Sequence, residues 1–178
     1  REIKDVGISI PRCLYLDHDP ETQAFVLLMQ DLAPAESPSW AISTEQVCVA
    51  LQALPAFHAR WWNKPELRTR DWMVQFDNRE FFAASTSAAA SARNTLQQHY
   101  GPDASVSIEL MAAVSERLEV LLAYNASRPF TFVHGDYHGK QMFFPTAAGG
   151  SFAVIDWQFP FVAQGPWDFA RLAAMCLE

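Results

Sequence analysis

Basic residues are scarce in this sequence. Thirteen Lys and Arg face twenty Asp and Glu, a net charge of −7, and the thirteen do not cluster. General nucleic-acid binding draws on clustered cations that neutralise phosphates, so it is excluded. Cysteine is scarcer still. Cys13, Cys48 and Cys176 are odd in number and far apart. They make neither a disulfide framework nor a Cys-x-x-Cys metal knuckle. They are expected to be buried thiols in a reducing compartment, which points to the cytoplasm. No apolar run reaches the roughly 18 residues that a membrane span needs. No basic-then-apolar leader opens the chain. Internal repeats, low-complexity tracts and the Gly-x-Ser-x-Gly elbow of serine hydrolases are missing too. What the chain does have is apolar bulk. Half of its 178 residues are hydrophobic, enough for one sizeable core and too many for disorder. The length fits one domain, or a large piece of one.

The order of elements reads as follows. Residues 11–16 and 24–30 are apolar runs around the polar turn Asp17-His18-Asp19-Pro20, which predicts a β-hairpin. The second run, Phe25-Val26-Leu27-Leu28-Met29, is apolar throughout and predicts a fully buried strand. Residues 31–40, with Pro34 and Pro38, read as a connecting loop. Ser43-Thr44-Glu45-Gln46 fits a capping box. Val47, Ala50, Leu51, Leu54 and His58 then follow helical spacing, and Pro55 is expected to kink or divide that helix. Residues 72–100 read as two helices. Ile108, Met111, Val114, Leu118 and Leu121 mark one face of a further helix. Short β-type runs follow at 130–133, 142–144 and 152–155. The turn between the last two contains Gly149-Gly150. Gly165-Pro166 precedes a final helix over 167–177. Strands, helices, strands and a helix in that order predict an α+β fold rather than alternating βαβ units.

Polar chemistry concentrates in Val133-His134-Gly135-Asp136-Tyr137-His138-Gly139-Lys140-Gln141-Met142, between two apolar runs. A second stretch, Val154-Ile155-Asp156-Trp157-Gln158, ends a buried strand on an acid. Such an acid is costly to desolvate unless a cation or donor meets it. Phosphoryl transfer needs a carboxylate to orient the attacking hydroxyl and a second to hold Mg²⁺ on the phosphates. It also needs a neutral oxygen ligand that can complete the metal site. Asp136, Asp156 and Gln141 supply those parts. The five-residue step from Asp136 to Gln141 is the Asp-to-Asn step of the kinase catalytic loop.

His134-Gly135-Asp136-Tyr137-His138-x-x-Gln141, then Ile155-Asp156-Trp157-Gln158, then Gly165-Pro166-x-Asp168-x-Ala170 resembles the aminoglycoside phosphotransferase and choline/ecdysteroid kinase-like superfamily of small-molecule kinases. FVLLMQDL (25–32) resembles the family's last amino-lobe strand running into the hinge. LPAFHARWW (54–62) resembles its helix with a His-Ala pair. The resemblance implies a protein-kinase-like fold. Its mostly helical carboxy-lobe would occupy 33–178, with a catalytic loop at 133–142 and a metal strand at 152–158. Residues 1–32 would be the end of the amino-lobe and the hinge. It implies ATP and Mg²⁺ as cofactors and a small-molecule hydroxyl as acceptor. Asp136 would be the catalytic acid that orients the hydroxyl, with His134 bracing its loop. Asp156 and Gln141 would hold Mg²⁺, and Met29, Gln30 and Asp31 would meet the adenine through their backbone. Asp168 would tie the loop to the last helix. Two features depart from the family pattern. Gln141 stands where Asn is usual, one methylene longer. Lys4 is in the wrong context to act as the phosphate-pairing strand lysine. A chain truncated at both ends, inactive by itself, is therefore the expectation.

Two rival readings come from other classes. On an extended strand His134, Asp136 and His138 share a face. With Asp156 they would make a Zn²⁺ or Mn²⁺ hydrolase site. Alternatively the chain is a non-catalytic kinase-like binding module. The plainer readings of single residues are structural. Lys140 is a solvated loop lysine, His58 a core-edge histidine, Met29 a core residue, and Trp61-Trp62 a packing pair.

Overall fold

The computed structural model describes residues 8–35, 39–146 and 150–176. Lys4, Pro38, Gly149 and Leu177, which carried expectations above, lie outside the described residues. The architecture is mixed α+β, with two small sheets and a hairpin around a helical body.

β1 (Cys13–His18) and β2 (Phe25–Met29) pair antiparallel, His18 opposite Phe25. Asp19 closes the turn, its carboxylate accepting from the Glu21 N–H at 2.9 Å and the Thr22 hydroxyl at 2.6 Å. The hairpin is as the turn chemistry predicts, but its burial is not. Every residue of both strands is exposed, Phe25 at 66% and Met29 at 42%. β1 and β2 pair only with each other, so a two-stranded ribbon has no layer over its faces among the described residues. The expectations of a buried strand and of a core Met29 are corrected accordingly.

α1 (Thr44–Trp61) begins at the capping box. The Ser43 hydroxyl accepts from the Gln46 N–H, and the Gln46 side chain accepts from the Ser43 N–H at 2.8 Å. Val47, Ala50, Leu54, Phe57 and Trp61 form its buried stripe. Fully burying a Leu or Phe side chain contributes about 1.5–3 kcal/mol. That packing offsets the hydrogen bond lost at Pro55, so the helix runs through the proline undivided. Cys48 lies on the outer face and is exposed, as is Cys13. Only Cys176 is buried, so the expectation of three buried thiols holds for one.

β3 (Val74–Gln75) is followed by α2 (Arg79–Tyr100), a single helix where two were expected. Its alanine-rich middle favours helix. The hydroxyls of Ser85 and Ser91 donate to carbonyls one turn back, at 2.9 and 3.0 Å, which removes the anticipated break. The apolar face at 108–121 is split in turn. α3 (Ser105–Glu116) and α4 (Leu118–Ala126) meet at Arg117, whose φ of −108° and ψ of 15° lie outside the helical range.

β4 (Thr131–Val133), β5 (Met142–Phe143) and β6 (Ala153–Val154) fall where the short apolar runs predict. β7 (Phe161–Ala163) was not foreseen. It lies between β3 and β4, parallel to the first and antiparallel to the second. β5 and β6 form a hairpin that Ser9 extends, through bonds of 2.9 Å with Phe152 and Val154. α5 (Pro166–Cys176) closes the described chain. The core lies between α1, β4, the β5–β6 hairpin and α5, with Phe57, Val154, Val162 and Leu172 in one cluster. Three chain segments therefore leave this core toward one place: the loop after β4, the residues after β6, and the first turn of α5.

Candidate active site

The loop after β4 is anchored from behind. Asp168, fully buried in the first turn of α5, presents both carboxylate oxygens to it. Oδ2 accepts from the His134 N–H at 2.9 Å, and Oδ1 from the Gly135 N–H at 3.0 Å. His58 of α1 places Nε2 3.1 Å from Oδ2. One buried carboxylate thus joins the loop, α1 and α5. Charge-assisted bonds to backbone N–H groups are among the stronger ones available. The Thr131 hydroxyl adds a bond of 2.7 Å to the His58 carbonyl. Tyr137, also fully buried, donates from its hydroxyl to the Ala50 carbonyl at 2.8 Å. Burial, with the charge of Asp168, holds the Tyr137 phenol well above its ordinary pKa, so it remains a donor.

Gly135 is required by conformation and by space. Its φ is +86°, and a Cβ there would run into the Phe159 carbonyl oxygen and stand 2.5 Å from the Phe161 ring. Gly135→Ala combines backbone strain with overpacking and is expected to cost about 2–3 kcal/mol. Urea unfolding of the variant measures this. A loss below about 1 kcal/mol would show that the loop tolerates a side chain there.

His134 lies wholly inside the fold. Its Nε2 is 2.8 Å from the Ile155 carbonyl, and its Nδ1 accepts from the Asp136 N–H at 3.2 Å. The two bonds assign the proton to Nε2. Burial pushes the ring's pKa below its ordinary value, against the pull of Ile155 and the nearby carboxylates, and keeps it neutral. The ring also packs edge-on against Trp157, centroids 4.4 Å apart. His134 therefore couples the loop after β4 to the residues after β6.

Asp136 is half-buried and turns outward. Its Oδ1 accepts from Arg171 Nε at 2.8 Å and forms an ion pair with Nη2 at 2.7 Å. Its Oδ2 lies 3.3 Å from His138 Nε2. Burial raises the pKa of this carboxyl. The hydrogen bond from Arg171, together with the charges of His138 and Arg171, outweighs burial and holds it below the usual carboxylate range. Asp136 is an anion at neutral pH.

Gln141 and Asp156 meet directly, Gln141 Nε2 donating to Asp156 Oδ2 at 2.7 Å. The Ile155 N–H also bonds to the Gln141 carbonyl at 2.9 Å. Asp156 sits at a φ of +63°. That region is uncommon for a non-glycine residue, and such outliers gather at functional sites.

Met29, Gln30 and Asp31 stand at the end of β2, away from those contacts. Gln30 and Asp31 line a cavity of about 210 Å³ together with Phe143 and Ala153 of the β5–β6 hairpin. Met29 is not among its lining residues. The sequence-marked residues thus fall in two places: a polar cluster of 134–141 and 156 around His134, and the cavity beside 30–31. Lys140 is exposed, as read from sequence.

The hydrolase arrangement does not form. β4 ends at Val133, so the three residues do not share a strand face. Both nitrogens of His134 are engaged. Among the described residues no group of three or more His, Cys, Asp and Glu is placed to hold a metal ion.

Two participants escaped the sequence reading. His58 reads as a core-edge histidine, and nothing nearby in sequence links it to Asp168, 110 positions away. Arg171 left a usable signal. It lies three residues after Asp168 and so on the same helical face. Once Asp168 faces the loop, Arg171 faces it too.

The chain matches the phosphotransferase enzyme family over residues 1–177. Among solved structures it is similar to a glucosamine kinase, at 18% identity and a TM-score of 0.41. The match covers 93% of this chain and 44% of that one. The chain thus spans less than half the length of that structure. No curated protein matches it. No helix among the described residues is long and apolar enough to cross a membrane.

Proposed function

The chain belongs to the phosphotransferase enzyme family, and on that premise we propose that it carries the catalytic face of an ATP- and Mg²⁺-dependent kinase acting on a small-molecule hydroxyl. The observation that carries this reading is the Gln141–Asp156 contact of 2.7 Å, set beside the ionised Asp136 of the same loop. Together they supply two oxygen ligands and an acid that are distinct from one another. Residues 1–32 then serve as the end of the amino-lobe and the hinge, and 33–178 as the carboxy-lobe. Adenine is met by the backbone of 29–31, beside the cavity that Gln30 and Asp31 line.

The donor set suits the metal. Asp156 offers a carboxylate and Gln141 an amide oxygen, and Mg²⁺ prefers oxygen ligands from one or two residues plus substrate phosphates. The Gln141 amide now donates to Asp156, so it must turn to offer its oxygen. When bound, the metal neutralises charge on the phosphates. The chain's own groups do the rest. The acceptor oxygen forms its bond to the γ-phosphorus in line with the breaking bond to the β–γ bridging oxygen, and ADP leaves. Asp136 orients the attacking hydroxyl and accepts its proton. His134 keeps the loop and the metal residues in register.

Asp156→Asn tests the metal assignment in the full native chain. It keeps the shape and removes the charge. Affinity for Mg-ATP is expected to fall about tenfold or more, while affinity for metal-free ATP changes little. Titration calorimetry with and without Mg²⁺ reads both. Equal Mg-ATP affinities in wild type and variant would remove Asp156 from the metal site.

A further inference from the structure

Asp136 offers four lone-pair positions, two on each oxygen. Arg171 engages Oδ1, donating from Nε at 2.8 Å, with Nη2 2.7 Å from the same oxygen. His138 stands 3.3 Å from Oδ2 and takes one more. Oδ2, which Arg171 does not bond, keeps a position for a further donor. Arg171 reaches the loop from α5, the helix whose first turn already holds the loop backbone through Asp168. Its side chain is 41% exposed, so it is not there to fill the core.

We infer that Arg171 is a positioning residue: by gripping Oδ1 with one edge of its guanidinium it turns the Asp136 carboxylate so that Oδ2 is the oxygen that receives the acceptor hydroxyl. The inference rests on the phosphotransferase reading for what Asp136 does, but not for how Asp136 is held. The geometry separates two effects of Arg171. Its charge keeps Asp136 ionised, in the direction already described. Its planar two-donor fork sets the orientation, which a lysine cannot copy. The other ionisable groups gathered around this loop are His138, His134, Asp156 and Asp168. None of them contacts Oδ1.

The test uses the full native chain with ¹³C-labelled aspartate carboxyls and the variants Arg171→Met, Arg171→Lys and Asp136→Asn. Asp136→Asn identifies the Asp136 signal by its loss. In Arg171→Met the Asp136 titration midpoint is expected to rise by about one pH unit, a tenfold gain in proton affinity. Arg171→Lys restores most of that midpoint. Its hydrolysis of Mg-ATP, water serving as acceptor, nonetheless stays about tenfold below wild type in kcat, with KM within about twofold. A merely structural Arg171 would lower the thermal midpoint and leave the Asp136 titration in place. That result overturns the inference, and so does wild-type kcat in Arg171→Lys. If Arg171→Met does not fold, the kcat of Arg171→Lys decides alone. If Asp136 shifts as expected in a chain that never turns over Mg-ATP, the phosphotransferase reading fails and the hold of Arg171 on Asp136 stands.

Discussion

Asp168→Ala is expected to lower stability by about 3–5 kcal/mol and the thermal midpoint by roughly 6–20 °C. The side chain has no exposure, and its two oxygens meet the N–H groups of His134 and Gly135 and the ring of His58. Alanine leaves three donors facing a void. An unmet buried donor costs about 1–3 kcal/mol, and partial relaxation keeps the total below the simple sum. Asp168→Asn is the informative companion. Its amide oxygen can accept one of the bonds, while its NH₂ opposes a backbone N–H, so roughly half the loss is expected. Differential scanning calorimetry and urea unfolding measure both variants. A loss under 1 kcal/mol in Asp168→Ala would show that water replaces the carboxylate and that the loop does not depend on it.

Asp136→Ala is expected to do the opposite: little to stability and most of the damage to chemistry. Its partner Arg171 is partly exposed and turns to water when released, so the stability change should stay within about 1 kcal/mol. Phosphoryl transfer should fall by about 10²–10⁴-fold, the usual worth of a positioned acid or base. Mg-ATP affinity should hold within about twofold, since neither Gln141 nor Asp156 bonds to Asp136. Single-turnover transfer from labelled ATP in the full native chain, with an acceptor screen, reads the first quantity, and calorimetry the second. Normal turnover in Asp136→Ala would remove this residue from the reaction. Two aspartates 32 positions apart in sequence thus carry opposite expectations, and burial makes the difference. A buried carboxylate is held because others depend on it, whereas a half-exposed one is free to meet a substrate.

The parts legible in the sequence are those governed by near neighbours or by residue identity. The capping box at Ser43 and Gln46 needs only a hydroxyl and an amide one turn apart. The β1–β2 turn needs only Asp19 and its next three residues. The ordering of Asp136, Gln141 and Asp156 is a matter of spacing along the chain, and the short strands between them bring the last two into contact. Local patterning failed where packing outweighed it. A proline was expected to kink or divide α1, and the apolar stripe on either side holds the helix through it undivided. Small polar residues were expected to break α2, but their hydroxyls find partners one turn back. An apolar strand was expected to be buried, but β2 has only β1 beside it.

Taken by itself, the sequence determined the α+β class and pointed to the family. The class follows from the order of the elements, and the family from motifs that resemble its own. Tertiary structure alone decided which cation meets Asp136 and which histidine meets Asp168. Those pairs are 35 and 110 positions apart. A long-range ion pair depends on where the packed helices place two side chains, and no local rule in the chain selects one arginine or one histidine from the rest. Burial was likewise decided there. It divides the aspartates into one that holds the loop and one that faces outward from it, because desolvation depends on what surrounds a group rather than on what it is.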